Sequence, residues 1–596
     1  MVEGAVEIAR AALNLIAAHH FHHRFAPGIF AALTLELKNK EAAPMIFLVR
    51  FGRLNAGSPR GTSIARLSLT QQRATGVLSM LRLEKPHSEK TGSGDVPYLG
   101  MLTLFAVALY WEVFTYDSFG PETALYYYYA DGWTFAQALR TFSYVQLMWY
   151  RPMTGVLYWA GEQFVGWHNI VGWKALHFLT VLAALYAIYW LVAACLGGGR
   201  LAGLLAAAWF CAVPNVYPGV MEAAGFDFVH IAFTVLCAGI YLYGTQAAGP
   251  RMILLTGLAW LCFLIALASK EVVLAVPVYL ALLSALAPLY SKNLNWRREM
   301  LRLAPFFAVL PLYYLVHFTK VPPGAFPGDG PYRSVANWTM IAANLRKMPL
   351  WVSRIYGYTG EKLGERMYHS NPVNNVVGIA AAALVSVTWW RRVRLPSHRS
   401  LLAALLCWIA VFLVLPVYAG GFIWHINLPL VGYSVLFGMA AAWAWAGISS
   451  RFWRGFALGV VLIGLMTLGR YNLHAELYGG THALAFRINH SVLSHPPVPA
   501  DRLGKAPLVY IEDRLGVGGW WYGCYAFLFN YTYLRHDIEE VVVPPLAKVP
   551  QNLRARWLAH PNAYFFRLDD NFDWRDASDE FRAGVIDGGG VAAAVR

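Results

Sequence analysis

Apolar residues fall along this chain in long blocks, near 99–115, 175–195, 201–213, 228–245, 252–268, 272–290, 303–319, 373–390, 400–418, 428–448 and 455–469. A helix needs about 20 such residues to cross the roughly 30 Å hydrocarbon layer of a bilayer. The pattern therefore predicts a mainly α, polytopic membrane protein with about 11 transmembrane helices, the third and eleventh blocks being short. Between the first and second blocks, over Glu112–His177, the period changes. Trp133–Met148 and Gly155–Val165 have helical spacing with Gln137, Arg140 and Glu162 to one side, the pattern of helices that lie in the membrane interface. Beyond the last block, Arg470 to about His495 reads as an amphipathic helix. After Pro496-Pro497 the runs Leu508–Ile511, Val541–Val543 and Tyr564–Leu568 have strand length and predict a small α/β domain outside the membrane. Three regions follow from this: 1–96, 97–470 and 471–596. Residues 1–96 lack both the membrane pattern and the compact plan of a signal peptide, and read as a disordered or non-native extension that includes the run His19-His20-Phe21-His22-His23.

Composition agrees with the membrane reading. The chain is 58% hydrophobic and only 14% charged, with a mean hydropathy of +0.43, whereas soluble proteins carry about a quarter charged residues. A formal net charge of +15 would fit a nucleic-acid partner, but its distribution excludes one. Loops 196–200, 246–251, 291–302, 391–399 and 449–454 hold twelve Lys or Arg and a single acid, Glu299. They are alternate loops, as the positive-inside rule requires of cytoplasmic ones. The intervening loops then face outward, which puts Asp117, Arg151, Glu222, Asp227, Lys270, Glu271 and His425 on or near one outer surface of an inner (plasma) membrane protein. Five of the six cysteines (Cys195, Cys211, Cys237, Cys262, Cys407) fall in predicted spans, so no disulfide framework is implied, and no zinc spacing occurs.

Ionisable groups held at a membrane edge are costly and mark function by default. Asp117 directly follows the first block, Tyr150-Arg151-Pro152-Met153-Thr154 comes next, and an aromatic-rich run leads to His177 at the second block. That order resembles the membrane-embedded C-type glycosyltransferases, nearest to the protein O-mannosyltransferase-like group and its bacterial relatives that use polyprenyl-phosphate sugars. Val216–Phe228 (VYPGVMEAAGFDF) is similar to that group's second acidic loop, and Ser269-Lys270-Glu271 with Pro277 to its Ser-Lys-Glu element. The likeness covers roughly Tyr98 to Tyr290.

The resemblance implies that Asp117 is the general base, or orients the acceptor, in an inverting sugar transfer, with Asp131 as the substitute. Read as a residue, Asp117 also suits a helix cap. Pro152 should end the preceding helix at Arg151, leaving a planar guanidinium that suits a donor phosphate or, alternatively, lipid headgroups. Glu222 and Asp227 follow the helix breakers Pro214, Pro218 and Gly219 and are placed to orient sugar hydroxyls or to assist a divalent ion, although two carboxylates do not define a metal site. Lys270-Glu271 reads as a mutually neutralised pair that touches the donor phosphate or the acceptor. Tyr126–Tyr129 reads as an interfacial aromatic belt more than as a sugar platform. His168 and His177 read as buried hydrogen-bonding groups. In the stretch Gly420–Pro429 the relatives carry an Arg for the lipid phosphate, but this chain has none, and His425 is the residue left to take part of that role. The loop Lys320–Pro372 corresponds to one that covers the active site in the superfamily.

The resulting expectation is a glycosyltransferase that takes a monosaccharide from a polyprenyl-phosphate donor to a periplasmic protein, glycan or lipid acceptor. A polymerase or ligase for lipid-linked glycans is the first rival, because Lys320–Arg366 carries seven basic residues. A transporter is the second, but it would place its acids at mid-membrane rather than at one face.

Overall fold

The computed structural model describes residues 94–115, 121–141, 143–144, 149–213, 216–217, 220, 226–245, 247, 249–286, 295–320, 341–342, 345–346, 352, 372–418, 426–478, 481–514, 527–569 and 571–584. All but the last three residues of the amino-terminal region 1–96 thus lie outside the described residues.

The first apolar block forms α1 (Val96–Thr115). The interfacial segment that follows holds α2 (Pro121–Ala130), α3 (Phe135–Thr141), a two-residue strand pair β1 (Ser143–Tyr144) and β2 (Trp149–Tyr150), and α4 (Pro152–Phe164). The helix expected over Trp133–Met148 is therefore cut short at Thr141. The aromatic and β-branched run Phe142-Ser143-Tyr144-Val145 favours extended backbone, and Ser143 pairs with Tyr150.

The membrane helices continue with α5 (Ile170–Trp190), α6 (Gly199–Cys211), α7 (Asp227–Gly244), α8 (Gly249–Leu267), a 3₁₀ turn Glu271–Ala275 leading into α9 (Val276–Leu286), α10 (Trp296–Lys320), α11 (Pro372–Arg392), α12 (Pro396–Tyr418), α13 (Asn427–Ala446) and α14 (Arg451–Tyr478). Among the described residues nine helices are long and apolar enough to cross a membrane, and Gly199–Cys211 and Glu271–Leu286 are shorter apolar helices. Together they account for every expected block. The eleventh is longer than its apolar run, because the helix extends past Arg470 to Tyr478.

Helix α6 lies at the centre, buried along its length between α5 and α13. Close approach is what its small residues allow: a Cβ on Gly438 of α13 would sit 2.5 Å from the Ala202 carbonyl oxygen. Lipid offers no hydrophobic drive for helix association, so such small-residue contacts carry the packing. At the opposite end of α7 from Asp227, Arg302 of α10 is 2% exposed, paired with Glu299 at 2.9 Å, and donates to the Tyr241 carbonyl.

After α15 (Thr481–Ser494) the chain builds a four-stranded sheet in the order β4–β3–β5–β6, from β3 (Leu508–Glu512), β4 (Glu539–Val543), β5 (Ala563–Leu568) and β6 (Trp574–Asp576). β3 pairs in parallel with both β4 and β5, and β6 closes one edge antiparallel. Every residue of β3 is buried, because helices cover both faces. Leu508, Tyr510 and Phe565 meet Trp557 of α17 (Gln551–Ala559) and Phe581 of α18 (Ser578–Ala583). Val509, Ile511 and Phe566 share a core with Tyr127, Trp167 and Trp173 of the first membrane loop.

This shared core docks the sheet domain onto the interfacial helices. The Tyr531 hydroxyl of α16 (Leu528–Tyr533) donates to the Trp167 carbonyl at 2.7 Å, and His168 Nε2 donates to the Tyr531 carbonyl at 3.0 Å. His536 stacks on Tyr127 and donates to Asp131 at 2.8 Å, while Tyr128 stacks on Phe527 with ring centroids 4.3 Å apart. Tyr127 and Tyr128 are thus neither a lipid belt nor a sugar platform. Their flat faces are consumed by packing within the protein.

Next to this interface sits Glu540. Burial pushes its carboxyl up to about 8, although Asn530 donates to Oε1 from its backbone N–H and its side chain, both at 2.6 Å. An ordinary glutamate in the unfolded chain loses its proton near pH 4.3. Between that value and about 8 the folded protein binds the extra proton, so stability falls as pH rises through this window. Glu540→Gln, which mimics the neutral acid, is expected to raise the midpoint of thermal unfolding at pH 8 and to change it little at pH 4.5. An equal effect at both pH values would show that the carboxyl is charged when folded.

Candidate active site

Four of the charged residues singled out along the chain converge where α4 and α7 begin and α8 ends. Pro152 opens α4 at its first position, where its missing N–H costs nothing, and Arg151 is the residue before it. Two contacts hold this corner against the end of α8: Met153 N–H donates to the Ala268 carbonyl at 3.0 Å, and the Thr154 hydroxyl donates to the Ser269 carbonyl at 3.3 Å. Arg151 then meets Glu271 with both edges of its fork, Nε to Oε2 at 3.0 Å and Nη2 to Oε1 at 2.9 Å.

Lys270 turns the other way. Its Nζ donates to Asp227 Oδ1 at 2.6 Å, with the lysine 3% and the aspartate 22% exposed at the side chain. The expected mutual neutralisation of Lys270 and Glu271 is therefore corrected. Lys270 has extended backbone (φ −160°, ψ 136°), successive side chains of extended backbone point to opposite sides, and each residue takes its partner from a distant segment.

Asp227 itself opens α7 behind Phe226, a non-glycine residue in the left-handed region (φ 42°, ψ 37°). Backbone of that kind costs of the order of 1–3 kcal/mol and persists where surrounding structure imposes it, often at functional sites. It lays the Phe226 ring flat on the imidazole of His177 in α5, with centroids 4.2 Å apart. His177 is fully buried, as expected, but among the described residues neither ring nitrogen has the hydrogen-bond partner that its reading as a bonded core group called for. His230, three residues beyond Asp227 on the same helix, is also buried, and its Nδ1 is likewise unpartnered.

Four of the expected site residues, Arg151, Asp227, Lys270 and Glu271, are thus brought together as two ion pairs. Asp131 is not part of that cluster: its carboxylate is held by His536 in the domain interface. Asp117, Glu222 and His425 lie outside the described residues. His230, Thr154 and the buried Lys174, whose Nζ donates to the Val113 carbonyl at the end of α1, were not anticipated. The spacing Asp227-x-x-His230 on one helix was the available signal for the first of them. Among the described residues, no group of three His, Cys, Asp or Glu is arranged to hold a metal ion.

The described elements form a membrane helix bundle with short helices in its first loop and an α/β domain docked on them. The chain shares this fold with ArnT from Cupriavidus metallidurans in its apo state, at 13% identity and a TM-score of 0.50, over 80% of this chain and 94% of that one. It also aligns with the oligosaccharyltransferase of Archaeoglobus fulgidus in the apo form, at 13% identity and a TM-score of 0.49, over 76% of this chain and 65% of that longer one. No protein-family profile and no curated protein matches the sequence.

If the Arg151 fork is what grips an anionic donor, Arg151→Lys keeps the charge but loses the bidentate geometry. Its affinity for undecaprenyl phosphate is expected to fall about tenfold, while Arg140→Lys on the exposed side of α3 leaves it unchanged. Equal affinities of wild type and Arg151→Lys would assign Arg151 to ion pairing within the protein.

Proposed function

We propose that the protein is a plasma-membrane glycosyltransferase that moves a monosaccharide from a polyprenyl-phosphate donor to a periplasmic protein, glycan or lipid acceptor with inversion at the anomeric carbon. The observation that carries the reading is the convergence of Arg151, Asp227, Lys270 and Glu271, from segments 43 to 120 residues apart, at helix ends of a bundle that shares the fold of ArnT. An acceptor hydroxyl gives up its proton to a carboxylate, for which Asp117, two residues beyond α1 in the sequence, is the candidate. Its oxygen bonds to the anomeric carbon as the bond from that carbon to the phosphate oxygen breaks, and the carrier phosphate leaves with the electron pair. A cationic group near that oxygen lowers the barrier by stabilising the charge that develops on it. Arg151 and Lys270 are the candidates, held in register by Glu271 and Asp227.

The reading is tested by incubating purified protein with synthetic undecaprenyl-phosphate monosaccharides and envelope extract, and by mass spectrometry of envelope glycans from cells with and without the gene. Release of undecaprenyl phosphate together with a new glycosylated product is expected. Failure to bind any polyprenyl phosphate, with an unchanged glycan profile, would sink the proposal. Orientation is tested separately: tags after Arg298 and Arg394 are expected to report cytoplasm, and tags near Gly330 or after Asp579 the outer side. An outward report at Arg298 would put the ion pairs on the wrong face for a periplasmic acceptor.

A further inference from the structure

Beside the ion pairs, one face of α7 carries polar groups that the described structure leaves unused. Asp227, His230 and Thr234 stand at helical positions i, i+3 and i+7, which form one stripe. The Nδ1 of His230 and the hydroxyl of Thr234 are buried and have no hydrogen-bond partner. Opposite, on α5, which packs along α7, His177 is fully buried with both ring nitrogens unpartnered. Phe226, whose ring stacks on His177, directly precedes Asp227, and His230 lies about one turn beyond that carboxylate on the same helix. A buried polar atom left without a bond costs about 1–3 kcal/mol. Four such atoms, two on His177 and one each on His230 and Thr234, lie on the two packed helices next to the ion pairs, and apolar residues of similar size would serve a purely structural core better.

The chemistry of these groups selects the guest. Imidazoles and a hydroxyl each offer hydrogen-bond donors and acceptors, and Asp227 repels anions, so hydrogen bonding rather than charge selects the guest. The positive charge of Lys270 is already matched by Asp227. A group bearing several hydroxyls matches them in hydrogen-bonding character, since each hydroxyl both donates and accepts. The Phe226 ring beside His177 adds an apolar face for its C–H bonds.

We propose that the Asp227–His230–Thr234 stripe of α7, together with His177 of α5, is the subsite that holds the hydroxyls of the donor's monosaccharide. This rests on the glycosyltransferase reading above, and it assigns sugar recognition to the membrane end of α5 and α7 rather than to the interfacial loop. His177 and Thr234 are positioning residues here: they select and seat the sugar, while the phosphate lies toward Arg151 and Lys270.

The test is a pair of binding measurements on the purified full chain in nanodiscs. One probe is undecaprenyl phosphate, and the others are undecaprenyl-phosphate glucose, galactose, mannose and arabinose. Wild type is expected to bind at least one sugar-bearing probe more tightly than the bare carrier. His177→Phe and the isosteric Thr234→Val are each expected to reduce that preference about tenfold, the loss of about one good hydrogen bond, and to leave the bare carrier's affinity unchanged. That unchanged affinity also shows that each variant is folded. Equal preference in wild type and Thr234→Val, or no preference for any sugar in a wild type that binds the bare carrier, would overturn the subsite while leaving the glycosyltransferase reading standing. A wild type that binds no polyprenyl phosphate at all would remove both.

Discussion

Asp117→Asn is expected to lower sugar transfer by roughly two to four orders of magnitude while leaving donor binding nearly intact. An acceptor hydroxyl is a poor nucleophile at neutral pH, and a carboxylate that removes its proton as the new bond forms contributes about that factor. Asparagine keeps the size and most of the hydrogen bonding but cannot accept the proton. The same change at Asp131 should matter far less, because that carboxylate already serves His536 at 2.8 Å in the interface between the membrane loop and the sheet domain. Turnover is measured with a synthetic polyprenyl-phosphate sugar, and donor affinity separately. Near wild-type transfer by Asp117→Asn would move the base to Glu222 or Asp227. Loss of donor binding along with rate would make Asp117 a structural group.

Lys270→Met should produce the largest loss of stability. It strips the cation from a pair in which the lysine is 3% exposed, and an uncompensated buried charge costs about 3–5 kcal/mol. Because Asp227 keeps 22% of its side chain exposed, the lower end of that range is expected. The double variant Lys270→Met with Asp227→Asn replaces both charges and should regain most of the unfolding midpoint, yet it should stay inactive if Asp227 holds substrate. Melting in detergent and transfer activity together separate the two roles. A Lys270→Met protein that melts with wild type would show that the pair adds nothing to the fold.

The bundle was legible because crossing a bilayer demands a run of apolar side chains that no other context requires, and all eleven runs became helices. The sheet domain was legible from strand-length runs such as Leu508–Ile511, although the parallel order around β3 was not, since it depends on pairing between distant strands. Site positions were partly readable, because charge at a membrane edge is rare. Their partners were not. Arg151 and Glu271 are 120 residues apart, and nothing local links them, whereas the adjacent Lys270 and Glu271 invited a pairing that extended backbone forbids. Tyr127 and Tyr128 misled for a different reason: a tyrosine ring suits a headgroup layer, a sugar and a protein interface equally well, and only the docked Phe527 and His536 decide.

The contact between Asp131 and His536 spans 405 residues of chain. During synthesis the first loop leaves the ribosome long before its counterpart, so the aromatic faces of Tyr127 and Trp167 must wait, uncovered, until the last fifth of the protein has been made. The loop nearest the proposed chemistry is therefore completed at the end of assembly. A nascent chain stalled in the membrane helices would expose this surface to the chaperones and proteases that inspect unfinished membrane proteins.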